Sequence, residues 1–204
     1  MRRKVAPKQS REPGPQKQLV LAIERAIMRK YLVDQNGWGV LREVSIDDLA
    51  AVEAYRAEAG LTASQKLTRR HRRAMEAPTV RRIDFLLMRI SRRSKPRHER
   101  IALEVKVTRA DFKRDTDEKR AAWFAVSDRF AYVAPAGMIQ PEELPAGCGL
   151  MEYNADAIFG SDVLKWKVLA PKKPEPPTAF DTQFFAYLFG RASRAEQALR
   201  TAIA

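Results

Sequence analysis

Cysteine is almost missing from this 204-residue chain: Cys148 stands alone. Neither a disulfide framework nor a Cys-based zinc site is available to it. Histidine is nearly as scarce. His71 and His98 both lie in basic segments, where each reads as a phosphate neighbour or a bystander rather than a general base. No apolar run approaches the roughly 18 residues that span a bilayer. The basic stretch MRRKVAPKQSREPGPQ is not followed by the apolar segment a signal peptide needs. A reducing, cytoplasmic setting is the expectation.

Positive charge, by contrast, is abundant and one-sided. The formal net charge is +13, and residues 1–100 hold 24 Lys/Arg against 11 Asp/Glu, while the remainder holds 14 of each. The whole excess therefore sits in the first half, bunched in TRRHRR (Thr68–Arg73), Arg81–Arg82 and RRSKPRHER (Arg92–Arg100). Localised positive charge of this size fits a polyanion, most often nucleic acid. Arginine predominates, and its planar fork matches phosphate geometry.

The N-terminal 15 residues are polar, basic and aperiodic, and read as a disordered arm. Leu19, Ile23, Ala26 and Ile27 recur at helical spacing, predicting a helix over 16–32. NGWG (Asn36–Gly39) is a turn before a strand at 40–46. Asp47 is placed to cap a helix over 48–59 ended by Gly60, and a second helix over about 63–77 carries RRHRR and stops at Pro78. Strands are predicted over about 82–90 and 100–107, joined by a basic hairpin loop. A helix over about 109–127, a strand over 129–135 and short strands around 149–153 and 163–169 follow. The Pro/Lys-rich stretch 171–180 is a linker. A last helix over about 181–204 carries Phe184, Phe185, Tyr187, Leu188 and Phe189, an aromatic stripe for the core or for a homodimer. The order predicts an α/β protein, with a mixed central sheet flanked by helices, over 16–170. Residues 47–80 form a helical basic insertion in it.

The chemistry concentrates in LEVKVTRADFKRD (Leu103–Asp115). Side chains of a strand alternate between faces, so Glu104 and Lys106 share one face while Leu103, Val105 and Val107 share the other. On the preceding strand Asp84 is a lone carboxylate within IDFLLM, where burial is costly unless a positive or hydrogen-bonding group meets it. If the two strands pair as a hairpin, Asp84 and Glu104 converge with Lys106 beside them. Two carboxylates suit Mg²⁺ (or Mn²⁺), which takes oxygen ligands and leaves room for water and phosphate. Lys106 would then position the water or stabilise developing charge. After the strand, Asp111 is placed to cap the next helix, and Arg109 and Lys113 to contact phosphate. Trp123 and Phe124 are expected to pack that helix on the sheet.

Ile83–Asp84 followed by Glu104-Val105-Lys106 resembles the PD-(D/E)xK nuclease motif, with Ile83 where the motif often has Pro. The longer run EVKVTRADFKRD, followed by SDRFAYVAPAG (Ser127–Gly137), is similar to the MmcB-type DNA-repair branch of that superfamily. The likeness covers about 81–153. It implies a restriction-endonuclease-like three-layer core, a divalent metal and phosphodiester hydrolysis. Carried over, Asp84 and Glu104 become metal ligands and Lys106 the catalytic lysine. Many members also place a Glu on the first helix, for which Glu24 is the candidate and Glu43 the rival. Arg69, Arg70, Arg72, Arg73, Arg81, Arg82, Arg92 and Arg93 are the expected grip on the DNA backbone. The function expected is a metal-dependent deoxyribonuclease of repair or recombination. The alternatives are a DNA-binding module without catalysis on the same fold and a structural protein assembling around nucleic acid.

Overall fold

The computed structural model describes residues 13–34, 37–74, 80–89, 99–157, 160–173 and 190. Most of the basic arm, Arg92 and Arg93 of the hairpin loop, the end of the linker and the aromatic stripe of 181–204 lie outside these residues.

Six strands form one sheet in the order β1 (Trp38–Asp47), β2 (Val80–Arg89), β3 (Arg100–Val105), β4 (Arg129–Pro135), β5 (Cys148–Tyr153) and β6 (Leu164–Val168). β1, β2 and β3 run antiparallel, β3, β4 and β5 parallel, and β6 returns antiparallel to β5. A parallel step needs a crossover connection. Between β3 and β4 it consists of two short helices, α4 (Arg109–Lys113) and α5 (Asp117–Val126).

Alternation along the central strands sends two apolar sets to opposite faces. Ala102, Phe130, Tyr132 and Leu150 pack with Phe112 of α4 and Trp123 of α5. Phe85, Leu103, Ala131, Val133 and Met151 pack with Ile23 and Ile27 of α1 (Pro15–Met28). The sheet is thus covered by helix on both sides, which is why β3 and β4 are buried nearly throughout.

Several boundaries differ from the sequence expectation for local reasons. The first helix passes at Arg29 into a π-helical turn ending at Asp34. Asp48, not Asp47, caps α2 (Leu49–Glu58): its Oδ1 accepts the Ala51 amide at 3.2 Å, and Arg81 Nε bonds its Oδ2 at 2.7 Å. Of the helix expected over 63–77, residues 63–68 are not helical and α3 (Arg69–Ala74) begins only at Arg69, while residues 75–77 lie outside the described ones. The single helix expected over 109–127 is two, because Thr108 and Thr116 each act as an N-cap, accepting the amides of Asp111 and Lys119. Asp111 is therefore not the cap. Before β6 a four-residue helix, α6 (Gly160–Val163), turns the chain.

The start of the SDRF segment is structural. Ser127 Oγ donates to the Trp123 carbonyl at 2.7 Å, Asp128 Oδ2 accepts Arg100 Nε at 3.1 Å and the Arg100 amide at 2.8 Å, and Arg129 Nε meets Glu99 Oε1 at 2.7 Å. These bonds fix the beginnings of β3 and β4 side by side, and so set where β3 ends.

Candidate active site

The site is built where two ladders part. β2 pairs with β3 from Phe85↔Leu103 to Met88↔Arg100, whereas β3 continues along β4 through Glu104↔Tyr132 and Val105↔Val133. One step beyond Phe85↔Leu103, the antiparallel register would set Asp84 opposite Glu104. There the side chain takes over from the backbone: Asp84 Oδ2 accepts the Val105 amide at 2.7 Å. Asp84 is thereby tied to the residue between Glu104 and Lys106.

β1 marks the same point. Arg42 pairs with Phe85 and Val44 with Ile83, but the ladder skips the rung between Glu43 and Asp84, and Glu43 adopts φ 48°. A non-glycine residue in that region is uncommon. Its consequence is a change of face: Leu41 and Val44, three residues apart, both pack on the α4/α5 side. Irregularities of this kind bend strands and re-aim side chains. Here one sits beside the lone carboxylate of the apolar strand.

Around Glu104 the charges are dense and buried. Lys106 Nζ lies 3.2 Å from Glu104 Oε1, 3.5 Å from Asp115 Oδ1 and 3.6 Å from Asp111 Oδ2. The ammonium of Lys119, one turn into α5, bonds the same Glu104 oxygen and stands 3.7 Å from Asp115. Asp115 is a hub: it accepts the Tyr132 hydroxyl at 2.5 Å and Arg120 Nη1 at 3.1 Å, with its side chain only 2% exposed.

The electrostatics follow from this packing. Burial, then the neighbouring Glu104 charge, push the Asp84 carboxyl up to about 6 against the bond from Val105. For Lys106, burial disfavours the ammonium, but Glu104, Asp115 and Asp111 outweigh it and hold its pKa above the ordinary lysine value. For Asp115, burial is outweighed by the Tyr132 hydroxyl, Lys106, Lys119 and Arg120, which keep it below the ordinary carboxylate range.

Glu104 Oε2 is buried and has no hydrogen-bond partner among the described residues. No group of three or more His, Cys, Asp or Glu side chains arranged for a metal occurs among the described residues. Asp84 and Glu104 are two carboxylates only, the number of protein ligands with which Mg²⁺ would be content if water and substrate phosphate supplied the rest.

The other sequence-derived residues fall into distinct places. Glu24 forms an ion pair with Arg42 of β1, a partner outside the Asp84–Glu104–Lys106 group. Glu43 is exposed on β1 at the skipped rung. Arg109 donates to the Met138 carbonyl at 2.7 Å and is held by Glu143, whose hydrogen bond and charge raise its pKa, while the Glu143 carboxyl, bonded in turn by Arg109, falls to about 2. Arg81 is held by Asp48. Arg69, Arg70, Arg73, Arg82 and Lys113 are exposed, and Arg72 lies on α3 among them. Sequence reasoning missed Asp115 and Lys119. Each stands in the charged run DFKRDTDEKR, where nothing distinguishes an inward carboxylate from a solvated one until the break at Thr116 is known.

No family model and no curated protein matches the chain. Among solved structures, the chain is similar to a protein of unknown function from Silicibacter pomeroyi, with TM-score 0.53, 20% identity, and coverage of 93% of this chain and 93% of that one. At that identity the likeness bears on the fold alone, an α/β arrangement with a six-stranded mixed sheet flanked by helices. No helix among the described residues is long and apolar enough to cross a membrane.

Proposed function

We infer that the chain is a metal-dependent DNA nuclease on a restriction-endonuclease-like core, acting in repair or recombination. One observation carries this reading. Asp84 bonds the Val105 amide, next to Glu104 on the neighbouring strand and near enough to feel its charge, with a buried oxygen on Glu104 that has no partner among the described residues and Lys106 beside it. The element order of helix, antiparallel hairpin, parallel crossover and second helical layer supports the same core.

In this reading Asp84 and Glu104 hold Mg²⁺ or Mn²⁺. When bound there, such an ion would supply a water of lowered pKa and neutralise charge on the phosphate. Lys106, beside Glu104, would stabilise negative charge growing on the scissile phosphate. The exposed arginines of α3, with Arg82 and Lys113, supply a surface for the phosphodiester backbone. A panel of linear, single-stranded, nicked and branched DNA, incubated with Mg²⁺, Mn²⁺ or EDTA, tests the reading. Cleavage should require the metal and vanish in Glu104→Ala and Lys106→Ala. Absence of any cleavage by wild-type protein would refute it.

A second reading, a DNA-binding module without hydrolysis, is favoured by a different observation. Two ammonium groups, Lys106 and Lys119, bond the same Glu104 oxygen, so the chain itself supplies charge where the cation would act. On that reading DNA affinity is undiminished in EDTA and no cleavage accompanies it.

A further inference from the structure

The two lysines on Glu104 are not equivalent. Lys106 is 5% exposed and enclosed by Glu104, Asp111 and Asp115. Lys119 is 27% exposed, reaches Glu104 from the neighbouring helix, and has Asp115 at 3.7 Å as a second partner. Both ammonium groups act on Oε1, while Oε2 is left buried and partnerless among the described residues.

The charges of the cluster nearly balance as it stands. Asp84, Glu104, Asp111 and Asp115 stand with Lys106, Lys119 and Arg120, four carboxylates to three cations. A divalent cation between Asp84 and Glu104 adds two positive charges to a group with room for about one, in surroundings where charge is poorly screened. Withdrawal of one ammonium from Glu104 would restore the balance. Lys106 is enclosed, whereas Lys119 is on the open side with a long, flexible stem and a second carboxylate to fall back on.

Resting on the nuclease reading of this site, we propose that Lys119 is an exchangeable counter-cation. It neutralises Glu104 in the metal-free protein, leaves Glu104 when a divalent cation binds, and then faces the bound substrate's phosphate. Lys119 is on this view a positioning residue for the metal-free site and a phosphate contact in the loaded one. No covalent bond is made or broken in the exchange.

The test is Mn²⁺ binding by titration calorimetry without DNA, for wild-type protein, Lys119→Met and Asp84→Asn. Removing a competing unit charge beside a partly screened ion should tighten Mn²⁺ binding in Lys119→Met by roughly tenfold. Asp84→Asn should abolish the binding. If Lys119 merely props up Glu104, the substitution weakens Mn²⁺ binding or leaves it unchanged, and the exchange is overturned while the nuclease reading stands. If wild-type protein and Lys119→Met both bind no Mn²⁺, the metal reading fails and the exchange with it. Should Lys119→Met not fold, the lysine ammonium NMR signals of wild-type protein decide. Added Mg²⁺ should shift the Lys119 signal and release its protection from solvent exchange while that of Lys106 persists; an unmoved Lys119 signal overturns the proposal.

Discussion

Asp84 Oδ2 accepts the backbone amide of Val105 at 2.7 Å, across the fork where β2 and β3 part. This bond couples a carboxylate from one strand to the strand that carries Glu104 and Lys106. It also replaces the ladder bond that β3 gives up there, so the same interaction terminates the sheet pairing and arms the site.

The raised Asp84 pKa has a consequence for stability in the absence of divalent metal. Its ordinary value is 3.8, and in the fold it is about 6, because burial and Glu104 disfavour the charged form. The unfolded chain therefore releases this proton first. The fold is favoured below pH 4 with respect to this group, and that advantage is lost as pH rises through 6. A two-unit shift corresponds to about 3 kcal/mol at most. Thermal melts in EDTA at pH 4.5 and 7.5 should show Asp84→Asn more stable than wild type at the higher pH, with the gap narrowing at the lower. Equal gaps at both pH values would contradict the assignment.

Gly149 offers a test of the fold itself. A Cβ at this position of β5 would meet the backbone N of Ala170 at 2.5 Å and its Cα at 2.8 Å. The segment after β6 can only lie this close over a residue with no side chain. Gly149→Ala should cost about 1–3 kcal/mol through overpacking, read as a lowered denaturation midpoint in urea. An unchanged midpoint would mean that the Ala170 segment does not pack there.

How far the site was legible in the sequence can be judged residue by residue. Period-two alternation in LEVKV puts Glu104 and Lys106 on one face, where their side chains lie 3.2 Å apart, and the lone Asp84 in an apolar run calls for a partner, which is the Val105 amide. The sheet order, both capping threonines and the skipped rung at Glu43 were not legible. The first depends on which strands pair over long separations; the threonines cap locally, three residues ahead, but in a charged run where Asp111 offers a rival cap; the last rests on a local backbone conformation with no glycine to announce it. Asp115 shows the limit most clearly. Its role comes from Tyr132 of β4 and Arg120 of α5 converging on it, and sequence spacing carries no trace of that. Asp48 shows a smaller miss: either Asp of the pair could cap, and the ion pair with Arg81 decides it.

For DNA affinity, the arginines separate into two groups. Arg69, Arg70 and Arg73 are exposed on α3, whereas Arg81 is bonded to Asp48 and Arg109 to Glu143. Replacing the α3 arginines with Gln should weaken binding for all sequences alike. It should also reduce the slope of log affinity against log salt by about 0.9 for each phosphate that is no longer neutralised. Arg81→Gln should appear chiefly as reduced stability, since it leaves the buried Asp48 carboxylate without its cation. A slope unaffected by the α3 substitutions would move the binding surface elsewhere.

The pairing of Asp84 and Glu104 around one ion is tested most directly by a crystal of the protein soaked in Mn²⁺, with an anomalous difference map recorded at the manganese edge. The expected result is a single strong peak about 2.1–2.3 Å from a carboxylate oxygen of each residue, absent in crystals of Asp84→Asn. No peak between the two carboxylates, in protein that cleaves DNA in the same Mn²⁺ buffer, would contradict it.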